Sequence, residues 1–225
     1  MYDFIRGPLM WAALVIFVGG LIFRIIQMFQ LSKKKERIFF TSTSSGEEQR
    51  GGDYSPEERK LRWLVSFSNS IMGNYPILTI ITTIFHICLF ITPVFLLGHN
   101  LFLYESWKIK FFSLPESLTD IMTIIFLLCA IFFILRRIIV PRLRAISSFN
   151  DFLLLFITIA PFLTGYLAYH QCFFNYKTML TLHILAGEIM LMAITFTKLG
   201  HIIFFFFTRF HISSEYSLIP GSRVW

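Results

Sequence analysis

Apolar residues come in long unbroken runs, separated by shorter polar and basic segments. Five runs are long enough for a helix to cross a hydrocarbon core of about 30 Å, which takes about 20 residues. They cover residues 8–30, 76–103, 118–135, 152–169 and 179–207. The runs are continuously apolar rather than alternating, so closed barrels are excluded and helices remain as the way to satisfy a backbone in lipid. The pattern predicts an all-α integral membrane protein, a bundle of five transmembrane helices forming a single domain over 1–225. The first run lacks a strongly basic leader and an A-x-A site, and reads as a retained helix rather than a signal peptide. A polar loop over 31–75 follows it. Thr41 to Pro56 is rich in Ser, Gly and Glu and predicts a flexible connection, and Pro56 to Val65 predicts a short amphipathic helix on the membrane surface.

Composition sharpens this in one respect. Of 225 residues 56% are hydrophobic, 28 are Phe and only 15% are charged, where a soluble domain carries roughly a quarter. Such a chain cannot cover itself with polar groups, and lipid must face most of it. The net charge of +7 would suit nucleic acid, but its distribution argues otherwise. Lys33, Lys34, Lys35, Arg37, Arg50, Arg59, Lys60 and Arg62 fall between the first two runs, Arg136, Arg137, Arg142 and Arg144 between the third and fourth, and Arg209 and Arg223 after the last. The opposite side holds Arg6, Lys108, Lys110 and Lys177. The positive-inside rule then puts the N-terminus outside and the C-terminus in the cytoplasm. The basic residues read as topology signals and lipid or partner contacts, with no nucleic-acid role. Cys88, Cys129 and Cys172 have no C-x-x-C spacing, so no c-type haem attachment or iron–sulfur ligand set is encoded.

Histidines carry the candidate chemistry, because polar groups within a membrane are expensive. Of His86, His99, His170, His183, His201 and His211, two lie on the fifth run. His183 and His201 are 18 residues apart, which on one continuous helix is five turns and about 27 Å of rise, both rings leaving the same face. That spacing suits two cofactors stacked across the bilayer. Gly187 and Gly200 nearby would let a porphyrin approach the backbone. The second run travels the opposite way, so antiparallel order pairs His86 with His201 towards the cytoplasm and His99 with His183 towards the outside, as axial ligands of two haems b. Bis-histidine iron has no open position and serves electron transfer. His86 and His99 are 13 residues apart, about 220° out of phase on a straight helix. Either Pro93 restores the phase by kinking the helix, or His170 takes the place of His99. His211, beyond the last run, reads as an interfacial residue.

Several motifs resemble a known family. Phe85-His86, Arg136-Arg137 with Pro141-Arg142-Leu143-Arg144, and Phe196-Thr197-Lys198-Leu199-Gly200-His201 resemble the γ subunit of respiratory nitrate reductase. Leu96-Leu97-Gly98-His99-Asn100, Tyr104-Glu105-Ser106-Trp107, Ser113-Leu114-Pro115-Glu116, the stretch from Pro161 to Gln171, and Phe204 to Arg209 are similar to the membrane cytochrome b subunits of the Tmc (transmembrane tetrahaem cytochrome c) complexes of sulfate-reducing bacteria, in the same superfamily. The resemblance implies a transmembrane cytochrome b domain in the bacterial inner membrane, two haems b and a menaquinone pool. It also implies a cytoplasmic iron–sulfur subunit of heterodisulfide-reductase type and a periplasmic multihaem cytochrome c. In the nitrate reductase pattern the second histidine of span two falls ten residues after the first, where this chain has Leu96; placing the ligand at His99 requires a three-residue insertion around Thr92-Pro93.

Quinone chemistry needs a proton acceptor. Glu188 is the carboxylate well inside a span and is a candidate for it, with a helix–helix hydrogen bond or a salt bridge as the alternative. Lys108 and Lys110 are candidates for binding a quinone carbonyl, or ordinary interfacial anchors. No Walker loop, nucleotide fingerprint or metalloprotease motif occurs, so the chain reads as an electron-transfer subunit rather than a complete enzyme. Two other readings compete. A haem-free membrane anchor accounts for the hydrophobicity but not the histidines. A proton-coupled transporter predicts helices broken near mid-depth and paired repeats.

Overall fold

A computed structural model describes residues 2–33, 57, 75–172 and 174–201. The expected flexible stretch, the surface helix, the end of the fifth run, His211 and the motif at Phe204 to Arg209 lie outside the described residues. Among the described residues the structure is helical without strands, and five helices are long and apolar enough to cross a membrane. The chain is a multi-pass membrane protein. The first helix (α1) runs from Tyr2–Phe4 through a π turn, Ile5–Leu9, into Met10–Lys33. Pro8 lies inside the π turn, where its missing N–H removes one backbone bond. Then follow α2 (Pro76–Phe95), α3 (Leu97–Trp107), α4 (Glu116–Ile139), α5 (Pro141–Ile146), α6 (Phe149–Tyr169) and α7 (Tyr176–Phe196), with a 3₁₀ turn at Lys198–Gly200. Two compact units result, one of residues Met1–Lys33 with Ile134–Trp225 and one of Lys34–Phe133.

In the Lys34–Phe133 unit, α2 ends early. Leu96 is extended (φ −67°, ψ 130°), closing α2 and opening α3. Pro93 sits in the last turn before it. The bend foreseen around Pro93 is thus a complete break, and the phase calculated for one straight helix does not apply to His86 and His99. The break is stitched from outside: Leu114 N–H donates to Phe95 C=O (2.9 Å), and the Asn100 amide donates to Ser113 Oγ (2.9 Å) and Phe112 C=O (3.2 Å). The core beside α2 is aromatic. Phe85 stacks on Phe126 with centroids 4.6 Å apart and meets Phe133 edge-on at 5.3 Å, and Phe126 and Ala130 are fully buried.

The other unit is built on α7, which packs most extensively on α6 and next on α1. The α6 helix starts three residues before the apolar run does, because Ser148 and Asp151 close a capping box: the Asp151 carboxylate accepts from Ser148 N–H and Oγ, both at 2.9 Å. Arg137 (4.0 Å) and Lys198 (3.3 Å) share that carboxylate, tying the end of α4 and the 3₁₀ turn to the start of α6. Gly20 of α1 lies against Thr195 of α7, where an added Cβ would collide with the threonine methyl. Gly20→Ala is therefore expected to lower the thermal midpoint in detergent, with overpacking of about 1–3 kcal/mol. Adding Thr195→Ser, which removes that methyl, is expected to restore most of the loss; thermal unfolding of the two variants checks it.

One expectation is corrected. The fifth helix is not continuous to His201: α7 stops at Phe196, Thr197 is extended (φ −121°, ψ −176°), and His201 follows the 3₁₀ turn. The Thr197 hydroxyl causes this locally. It donates to Ala193 C=O (2.6 Å) and accepts from Leu199 N–H (3.2 Å), offering the backbone an alternative to the next helical turn. The five-turn geometry drawn for His183 and His201 on one straight helix therefore does not hold.

Candidate functional site

His86 and His99 belong to one unit, His183 and His201 to the other. All four share a local arrangement. On α2, His86 places Nδ1 2.7 Å from the Thr82 carbonyl, one turn back. On α3, His99 places Nδ1 2.8 Å from the Pro93 carbonyl. That carbonyl belongs to the last turn of α2, where the break at Leu96 strips carbonyls of helical donors, so the imidazole also caps the broken helix. On α7, His183 reaches across to α6, its Nδ1 2.9 Å from the Pro161 carbonyl and 3.5 Å from Thr164 Oγ1. After the 3₁₀ turn, His201 places Nδ1 2.8 Å from the Lys198 carbonyl. A carbonyl oxygen only accepts, so each Nδ1 is the donor of its bond. Metal-bound histidines have this form, the second nitrogen's hydrogen bond fixing tautomer and ring direction.

The surroundings differ. His86, His99 and His183 are half-buried and His201 is exposed. Phe85 stands edge-on to the His86 ring at 5.4 Å. Gly165 is what lets His183 approach α6: a Cβ there would come within 2.9 Å of its Cε1 and 3.1 Å of its Nδ1. The sequence drew attention to Gly187 instead, where a Cβ would meet no protein atom within 4 Å. The tyrosine and glycine of the Gly165-Tyr166 pair carry resemblance but no periodic signal, so the role of Gly165 was hidden until the two helices were placed together.

The remaining candidates scatter. His170 is exposed at the C-terminal cap of α6, with its ring against Tyr166 (4.4 Å) and Tyr169 (5.1 Å). Lys108 ends α3 in a left-handed conformation (φ 60°), its ammonium 5.3 Å over the Tyr104 ring, the posture of an interfacial anchor. Lys110 is exposed. Glu188 is 2% exposed, and among the described residues neither carboxyl oxygen has a hydrogen-bond partner. Among the described residues no group of three or more His, Cys, Asp and Glu gathers at a point; a haem takes only two axial side chains.

A protein of Nitratidesulfovibrio vulgaris, strain Hildenborough, is 32% identical over 222 residues, spanning 98% of this chain and 96% of its own. The two belong to one family. No protein-family profile matches the chain, and no solved structure matches it.

Proposed function

We propose that the chain is the di-haem cytochrome b subunit of a respiratory complex in a bacterial inner membrane, with its N-terminus outside. It carries electrons between a periplasmic multihaem cytochrome c or the menaquinone pool and a cytoplasmic iron–sulfur subunit of heterodisulfide-reductase type. His86 and His201 hold the inner haem b, His99 and His183 the outer. The observation that carries the reading is the one common to these four residues: an Nδ1–H bound to a backbone carbonyl within a lipid-embedded chain, which leaves imidazoles of defined tautomer and direction. His99 rather than His170 is the outer ligand on this reading, because it shares that bond and its helix break removes the phase objection. The haem would supply reversible one-electron chemistry when bound, and the chain's part would be to hold the four imidazoles in fixed directions.

The helix breaks do not favour a transporter. Both α2 and α7 run 20 residues or more before breaking, about 30 Å and so a full bilayer thickness, whereas transporter helices break at the midplane. The full chain, purified in mild detergent, is expected to show a b-type α band in the dithionite-reduced minus oxidised spectrum, with about two haems per chain by pyridine haemochrome. Absence of haem under haem-replete expression would overturn the reading and leave the membrane anchor.

A further inference from the structure

Glu188 has no role in the electron path just described, yet its position is costly. A carboxylate taken out of water without a partner is strongly disfavoured, and here both oxygens are buried and, among the described residues, without hydrogen bonds. Two contacts fix what lies against it. At one end Lys177 of α7 sits 5.3 Å over the Tyr2 ring of α1; further along, Thr195 meets Gly20. The same number of residues separates the members of each pair on both helices, so α1 and α7 run parallel and in step. That register puts Ala13 level with Glu188, and Ala13 is 1% exposed. Thr195 is seven residues from Glu188, close to the same face of α7. Glu188 thus points into the α1–α7 seam under a small residue, while the His183 ring points at α6.

Charged groups on the packed elements stand towards the ends. On α1 they are Asp3, Arg6, Arg24 and Lys33. On α6 they are Asp151, already bound to Lys198 and Arg137, and His170. On α7 they are Lys177 and His183. A change of charge at the His183 level is therefore felt by Glu188 with little interposed screening. The two residues are five positions apart, about 7.5 Å of rise.

We propose that Glu188 is a redox-linked proton-binding site, an inference that rests on the cytochrome reading. Its carboxylate takes up one proton from the aqueous phase when one electron, from quinol or a cytochrome c partner, reaches the ferric iron held by His183. It releases that proton when the electron leaves. One negative charge arrives and one positive charge compensates it, at a separation where proton affinity changes on the order of tenfold at an effective dielectric near 20. Glu188 is then a charge compensator inside the protein rather than the acceptor that touches quinone.

The test uses the purified haem-loaded chain, with haem content measured first. No haem in the wild type would be a failure of the cytochrome reading. With haem present, the midpoint potential of one haem is expected to fall with rising pH, by up to about 30 mV per pH unit, since a tenfold change of proton affinity moves at most about half a proton per electron. Glu188→Gln is expected to keep both haems and flatten that slope, and the carboxylic-acid C=O band of the reduced-minus-oxidised infrared spectrum is expected to vanish with it. Glu188→Asp, which keeps a carboxyl, is expected to retain the slope in a displaced pH window and serves if the glutamine variant does not load. A pH-independent potential in the wild type, or the same slope in wild type and Glu188→Gln, would overturn the proposal while leaving the haem assignment intact.

Discussion

Replacing His183 by alanine is expected to reduce the haem content from two per chain to one, and replacing His201 is expected to do the same for the other haem. Bis-histidine iron that loses one axial ligand loses half of its protein coordination. The His183 ring is pinned to α6 by the Pro161 carbonyl and the His201 ring to its own turn by the Lys198 carbonyl. The two losses should be separable by spectrum, because the rings lie in different surroundings. His99→Ala is expected to behave like His183→Ala, since the proposed reading gives both to the outer haem, and His170→Ala to retain both haems. Pyridine haemochrome on the four variants checks this, and two haems surviving in His183→Ala would sink the ligand assignment.

A second large effect is expected where no ligand is touched. Gly165→Ala puts a methyl group 2.9 Å from His183 Cε1 and 3.1 Å from its Nδ1. The ring can only retreat by leaving the Pro161 carbonyl it bonds at 2.9 Å. Losing the outer partner of a ligating histidine costs roughly 10–100-fold in metal affinity, so Gly165→Ala is expected to weaken the outer haem by that factor and leave the inner one loaded. Gly165→Val should abolish the outer haem. Gly187→Ala provides the contrast, since no protein atom opposes it: the fold should tolerate it, and any haem loss would report a porphyrin lying over that glycine. Titration of haem into the apo chain, followed at the Soret band, measures all three.

The five crossings could be read directly from hydropathy, because unbroken apolar runs have one solution in lipid. Ends were less legible. Pro93 announced trouble in α2, since proline removes a donor whatever the context, although the chain opens three residues later at Leu96. Thr197 announced nothing: the break comes from a hydroxyl exchanging bonds with Ala193 and Leu199, a local competition that no hydropathy profile records. The histidines stood out by cost alone. Their shared Nδ1 bonding did not, because the acceptors lie one turn back for His86, across a break for His99 and on another helix for His183. Gly165 and the Gly20–Thr195 contact were invisible for the same reason: each is a meeting of two helices, and a single sequence does not say which faces meet.

The pairing of α1 with α7 bears on how the protein is assembled. Gly20 emerges from the ribosome about 175 residues ahead of Thr195, a wait of roughly 10–35 s at 5–20 residues per second. Through that interval the first helix has lipid, or an insertion chaperone, against the surface that α7 will cover. By contrast, α6 and α7 follow one another in the chain, only 22 residues separating Pro161 from the His183 ring that bonds its carbonyl. Both contacts of α7 wait for the last long helix, but only the surface of α1 is kept waiting through most of synthesis.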